Sequence, residues 1–192
     1  MRLATAALLL PLLQFQARAV LSQADPGLAL VCRVRGSHDW LVTRPSPLDS
    51  VLITVPGAAA KICYSRPHAR GRSVDSLVPP GLAWRFGANE PTTITVDNRL
   101  NIGGAVLAGG RYVILAVPGD TRWTLAFYST PDTEPAKMFA HLTQVATGYG
   151  DVERVRELVE QFTIRTEGDS IVSSLRLEWG NWRVRVPLRA AL

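Results

Sequence analysis

"RYVILAVPGDTRWTLAFYS", residues 111–129, decides the fold class of this chain. Two runs of strand length, Arg111 to Val117 and Arg122 to Ser129, are rich in β-branched and aromatic residues. Between them Pro118-Gly119 combines a fixed φ with a residue that tolerates a positive one, as tight reversals require. The same grammar extends in both directions. Downstream, Ile171, Leu175, Leu177 and Trp179 alternate with Arg176 and Glu178, and Trp182, Val184, Val186 and Leu188 alternate with Arg183 and Arg185. That period of two, with Trp179 to Trp182 read as the turn, predicts a C-terminal hairpin with one dry face.

Upstream, Pro56-Gly57, Gly103-Gly104 and Gly109-Gly110 mark further turns. Strands are expected near 28–35, 40–44, 50–55, 59–65, 92–97, 112–117, 122–128, 161–166, 171–179 and 182–188. Short strands at this spacing predict an all-β domain, a β-sandwich or a jelly-roll-like barrel. One segment departs from the pattern. Thr133 as N-cap, Pro135 in the first turn, Met138, Leu142 and Val145 at helical spacing and Gly148 as a stop predict a short helix near 135–147. The next stretch, 151–161, fits a helix or a strand.

The first 19 residues carry Arg2, an apolar run from Leu3 to Leu13 and Ala17-Arg18-Ala19, the pattern of a cleaved export signal or an N-terminal membrane attachment. The run is shorter than a membrane-spanning helix needs, and Pro11 interrupts it. Cys32 follows Leu-Ala-Leu-Val, whereas a lipidated cysteine follows small residues. The expected organisation is therefore 1–19 as signal or attachment, 20–45 as added N-terminal strands and 46–192 as one β-sandwich domain, in an exported chain, periplasmic or extracellular. Loss of Arg2 and Arg18 leaves 19 basic against 16 acidic groups, a formal charge of +3 rather than +5. This charge is mild and thinly spread, which sets nucleic acid aside as a partner. Cys32 and Cys63, 31 residues apart, make either a disulfide or two buried thiols.

The string "YSRPHARGR" (64–72), then "SLVPPGLAWRFGANEPTTITV" (76–96), then "IGGAVLAGGRYVILAVPGDTRWTLAFYS" (102–129) resembles a bacterial family of exported proteins, domain of unknown function 2911. The likeness continues through 161–188 and covers roughly residues 46–188. It implies a small β-rich domain and carries no assigned activity, cofactor or catalytic residue. Against that family's pattern Phe86 stands where Thr is usual, and Ala108-Gly109-Gly110 replaces Pro-Ala-Gly. The segment 135–147 replaces a Trp-Gly-containing loop, and the residues before 45, Cys32 among them, look like an addition.

Within that string, Arg66, Arg70, Arg72, Trp84, Arg85, Asn89 and Glu90 invite two readings. As a ligand site, arginine forks would take a carboxylate, sulfate or phosphate, and Trp84 would stack on a sugar or a cation. As a brace, Glu90 would accept from an arginine, Asn89 would tie down the loop and Gly87 would supply its turn. The brace is the favoured reading. The three histidines, His38, His68 and His141, are too widely spaced for a compact metal motif, and no nucleophile, zinc or phosphate-loop pattern occurs, so no metal or cofactor is expected. His68 with Asp75 would make a base and its orienter, and Asp75 with Glu90 a carboxylate pair, but the sequence fixes neither distance. Trp40, Trp123, Trp179 and Trp182 are core residues or, where exposed, anchors for a protein or membrane interface. The functional expectation is an exported, non-catalytic binding or accessory module of the cell envelope, a peripheral subunit with protein partners and peripheral membrane contact. The alternative is a ligand-binding protein or hydrolase acting on an acidic or carbohydrate substrate through the Arg/Trp/Asn/Glu cluster.

Overall fold

The computed structural model describes residues 30–130, 134, 137–168 and 174–191. The expected export segment, 1–19, lies outside them. The chain is all-β. Strands β1 (Leu48–Val55), β2 (Ala58–Ser65), β3 (Thr93–Val96), β4 (Leu100–Ile102), β5 (Ala105–Leu107), β6 (Gly110–Val117), β7 (Arg122–Ser129), β8 (Thr143–Glu167) and β9 (Ser174–Ala190) form one antiparallel sheet. Its order is β1-β2-β3-β6-β7-β8-β9-β4-β5. Two short helices, α1 (His38–Thr43) and α2 (Val74–Leu77), complete the described elements.

The length of β8 determines how this sheet closes. Twenty-five residues at about 3.3 Å each would reach about 80 Å if straight, roughly twice the width of a domain this size. The strand therefore bends. Between the pairs Arg154–Trp182 and Val159–Gly180 it advances five residues against two on β9, and between Val159–Gly180 and Thr163–Glu178 four against two. Extra residues on one strand bend it and sharpen its twist. Beyond the bend β8 returns over the end of β2: the N–H of Ala69 donates to Glu160 O (2.8 Å) and that of Phe162 to Pro67 O (2.9 Å). The N–H of Ile164 donates to the Tyr64 hydroxyl at 2.9 Å. β1 also meets β8 and β9, and β2 meets β4, although none of these are neighbours in the sheet. The sheet is thus folded over one core in a sandwich-like arrangement, with Ile62, Tyr64, Ile94, Ile114, Phe127, Phe162, Val184 and Val186 inside. Burial pushes the Tyr64 phenol well above its ordinary range, so it remains a neutral donor and acceptor within that core.

Three expectations are corrected. The predicted C-terminal hairpin is absent: 179–182 lie within the unbroken β9, and both halves of β9 pair with β8. Gly180, at φ +57°, stands opposite the bulged stretch of β8 and breaks the alternation of β9, so that Trp179 and Trp182 are both buried at a spacing of three. A side chain at Gly180 would also collide with Val74, its Cβ falling 2.6 Å from Cγ2. The helix expected at 135–147 is not formed in its described part: 137–140 are turns and Thr143 onward belongs to β8, paired with Ser129 and its neighbours. Of its apolar stripe Met138 is buried, but Val145 is exposed, so helical spacing had no core to serve. The segment 151–161, which fitted helix or strand, is strand.

The third correction concerns the expected N-terminal strands. Among the described residues 30–45 there is no strand, and the arm instead carries α1. Its N-cap is Ser37, whose hydroxyl accepts from Trp40 N at 3.3 Å, and it buries Leu41. Cys32 is disulfide-bonded to Cys63 on β2, closing the 31-residue separation. Loop closure of that length stabilises by about 3.7 kcal/mol. Replacing both cysteines by serine is expected to lower the melting temperature by roughly 7–15 °C. An equal melt for the oxidised and the double-serine protein would show that the arm docks without the bond.

Candidate functional site

The loop 84–92 leaves and rejoins the sheet on three backbone bonds. Trp84 exchanges two with Ala116 (2.7 and 2.8 Å), and Ile114 N donates to Thr92 O (2.9 Å). Inside the loop Phe86 (φ 57°) and Asn89 (φ 56°) both adopt left-handed backbone, rare for a bulky residue such as Phe. Side-chain contacts hold this conformation. The Thr92 hydroxyl donates to Phe86 O at 2.7 Å, Arg85 Nη1 to Asn89 O at 2.9 Å, and the Trp84 indole N–H to Gly87 O at 3.1 Å. Gly87 is required by close approach, since a Cβ there would sit 2.8 Å from Thr92 Oγ1 and 3.0 Å from Ser65 O.

The expected cluster is dispersed: Arg70 is exposed and its backbone N–H donates to Glu160 Oε1 at 2.6 Å. Trp84 is packed in an aromatic group rather than forming a ligand wall: its ring stacks on Trp179 (5.5 Å, 22°) and meets Phe162, Phe86 and Trp123 edge-on. Arg66 turns to β8, donating to Phe162 O (3.1 Å) and Thr163 Oγ1 (2.8 Å). Asn89 Nδ2 donates to Ser46 O at 3.1 Å. Arg85 is exposed, its guanidinium 5.6 Å from the Phe139 ring. Arg72 donates through Nε to Ala69 O at 3.1 Å.

Glu90 pairs with a residue that sequence reasoning missed. Arg44, from the end of α1, donates to both of its carboxylate oxygens, Nη1 to Oε1 at 2.7 Å and Nη2 to Oε2 at 2.6 Å. Its Nη2 also donates to Ser65 Oγ (2.6 Å) and its Nε to Ser46 O (3.0 Å). The Arg44 side chain is only 5% exposed and that of Glu90 19%. Burial by itself would raise the Glu90 carboxyl, but the bonds and charge of Arg44 outweigh it, with help from Ser65, and hold the group below its ordinary value of 4.5. Arg44 lies 46 residues away in sequence, and no local pattern marks it.

Asp75 and Glu90 do not act together. Asp75 accepts from the Trp182 indole N–H at 2.8 Å and from Arg154 at 3.0 and 3.3 Å. The Arg154 guanidinium lies 3.4 Å from the centre of the Trp182 ring. Asp75 is therefore committed away from His68, whose backbone bridges Gln161. Beside this group a cleft of about 380 Å³ opens among Gly71, Arg72, Ser73, Leu158, Glu160 and Asn181. Of the expected cluster, Arg72 alone lines it. Among the tryptophans, Trp123, Trp179 and Trp182 are buried, whereas Trp40 on α1 is 54% exposed.

The sequence profile of a family described as "protein of unknown function (DUF2911)" matches residues 46–188. The chain belongs to that family. No curated protein and no solved structure matches it. The matched span holds Glu90 and Cys63, whereas their partners Arg44 and Cys32 precede it. The arm is thus bonded at two points to the family domain.

Glu90→Ala is expected to cost about 3 kcal/mol at neutral pH, because a buried guanidinium loses its partner. Arg72→Ala should stay within about 0.5 kcal/mol. Denaturant titrations compare the two, and a small effect at Glu90 would return the cluster to the ligand reading. The pH dependence follows from the depressed carboxyl. Its contribution is complete above the unfolded value near 4.5 and is lost as pH falls through the lower folded value. Glu90→Gln should therefore flatten the acid limb of the stability profile, and parallel limbs would contradict the ionised pair.

Proposed function

We propose that this protein is an exported, non-catalytic binding or accessory module of the cell envelope, which presents its N-terminal arm to a protein partner. The observation that carries this reading is the division of labour between the polar cluster and the arm. Glu90, Arg66, Trp84 and Asn89 are engaged within the fold, whereas Val31, Trp40 and Val42 on the arm are exposed. α1 packs on β1, the edge strand of the sheet, whose Leu52 is also exposed. Large apolar side chains beside a sheet edge suit a protein contact, and tryptophan is among the strongest anchors of such contacts. The Cys32–Cys63 bond fits an oxidising compartment, in keeping with the export pattern of the first 19 residues.

A second reading rests on the cleft beside Arg72. It keeps ligand binding for an acidic or carbohydrate compound and moves it from the Glu90 loop to Arg72, Ser73 and Asn181.

Gentle solubilisation of native membranes and affinity isolation tests the first reading. The native chain is expected to bring down a partner in fixed stoichiometry, and Trp40→Ser, a surface change that leaves the melt intact, is expected to lose it. Recovery of the native protein as a soluble monomer, or retention of the partner by Trp40→Ser, would count against the arm as the contact. Mass spectrometry of the same material reads the first residue of the mature chain, expected near residue 20.

A further inference from the structure

Strands β8 and β9 part at the pair Asp151–Arg185, the last they share toward the start of β8. The turn between β4 and β5 enters the gap. The N–H of Tyr149 donates to Gly103 O at 2.8 Å, and that of Gly103 donates to Pro187 O at 2.8 Å. Glycine is required at this approach, because a Cβ on Gly103 would overlap the Tyr149 backbone, whereas a Cβ on Gly104 would meet open space. Asn101 Oδ1 accepts from Gly104 N at 3.0 Å and fixes the turn. Beside this turn lies a cleft of about 350 Å³, large enough for a small-molecule site.

The lining follows from the register. Arg122 on β7 stands opposite Asp151, and Asn101 on β4 opposite Arg189. Their chain neighbours Trp123, Leu100, Ile102 and Leu188 are buried, so alternation turns these polar side chains to the outer face. Cross-strand neighbours commonly satisfy such a face, but this one is left open. Among the described residues the Arg189 guanidinium, the Tyr149 hydroxyl and Asn101 Nδ2 have no hydrogen-bond or ion-pair partner. Asp151 has only Arg122, at 3.4 Å. The Arg122 guanidinium also lies 5.5 Å from the centre of the Tyr149 ring and restrains it, while the residue stays 45% exposed.

These groups select a ligand chemistry. Two guanidiniums face one carboxylate, an excess of one positive charge that suits a single anionic group, and a guanidinium fork matches a carboxylate. Asn101 and the Tyr149 hydroxyl can donate to hydroxyl groups, and Asp151 can accept from them. The negative face of the Tyr149 ring suits the C–H face of a pyranose. Free phosphate would leave the ring unused and would meet the Asp151 charge.

We propose that this cleft is a binding site for an acidic saccharide, a pyranose carrying one carboxylate, with Tyr149 against the sugar ring and Arg189 on the carboxylate. The site shares no residue with the arm or with the cleft beside Arg72, so it stands independently of both readings above.

The test is an amide-resolved NMR titration of the oxidised full chain with a disaccharide of one uronate and one neutral hexose. Its methyl ester and inorganic phosphate are the controls, at equal ionic strength. The acid is expected to shift the amides of Gly103, Gly104 and Tyr149 saturably, and phosphate to leave them unmoved. The ester keeps the hydroxyls and loses the charge, so it should bind roughly tenfold more weakly. Arg189→Gln should weaken the acid by roughly tenfold and bring it level with the ester. Tyr149→Ala should weaken both by about five- to tenfold. Both side chains are exposed and neither makes a hydrogen bond, so each variant should melt as the native chain does. Amides unmoved by millimolar acid, an ester that binds as tightly as the acid, a phosphate response at the same amides, or native affinity in either variant would overturn the proposal.

Discussion

A half-buried carboxylate must have a cation, and in this protein the Glu90 carboxylate draws its cation from outside the family domain. Much of the molecule's organisation follows from that requirement. The loop carrying Glu90 is held closed by Thr92, Asn89 and Trp84, so the carboxylate is fixed before any partner arrives. Arg44 then meets it with both ends of its fork and also bonds Ser65 and Ser46. Such a pair adds modestly to net stability, because both groups are desolvated, but its geometry is exacting and a guanidinium fork fits it in one orientation. The pair thereby sets where α1 sits. With Cys32 bonded to Cys63, the described arm is held at two points and can cover the outer face of β2, β3 and β6.

The other organising constraint is the bend of β8. Its extra residues opposite Gly180 and Glu178 bring the far half of the strand over β2, which brings Phe162 against Tyr64, Trp84 and Trp179. The aromatic group is a consequence of that return. The same bulges leave 156–158 unpaired on the surface, with Leu158 at 75% exposure, and the cleft beside Arg72 lies in the angle so formed. A strand that bends to close a core thus also opens a cleft on the outer surface.

What could be read from the sequence was face, and what could not was partner. Alternation in 111–117 and 122–129 named both strands and their turn, because burial on one side leaves a period of two whatever the strand pairs with. The same alternation on either side of Gly180 looked like two strands. A bulge and a turn both interrupt the period, and only the register of β8 separates them. At 135–147 Met138, Leu142 and Val145 have helical spacing, but spacing cannot say whether a core lies opposite. The cluster shows the same limit. A carboxylate and an amide crowded into a glycine turn drew attention to the loop, while Arg44 was not legible, since an ion pair across 46 residues leaves no local trace.

The arm's inner and outer faces are mechanically joined. Trp40 and Arg44 lie one turn apart on α1, and the guanidinium that grips Glu90 passes 4.9 Å from the exposed indole ring. A cation over a ring face restrains the ring, so the pair with Glu90 also orients the exposed tryptophan of the arm. An anchor already held in position loses less conformational freedom on association, and preorganisation of this kind raises affinity without adding contacts. The buried ion pair, which makes a poor ligand site, thus serves the surface it supports: it braces the family domain on one side and presents a fixed aromatic group on the other.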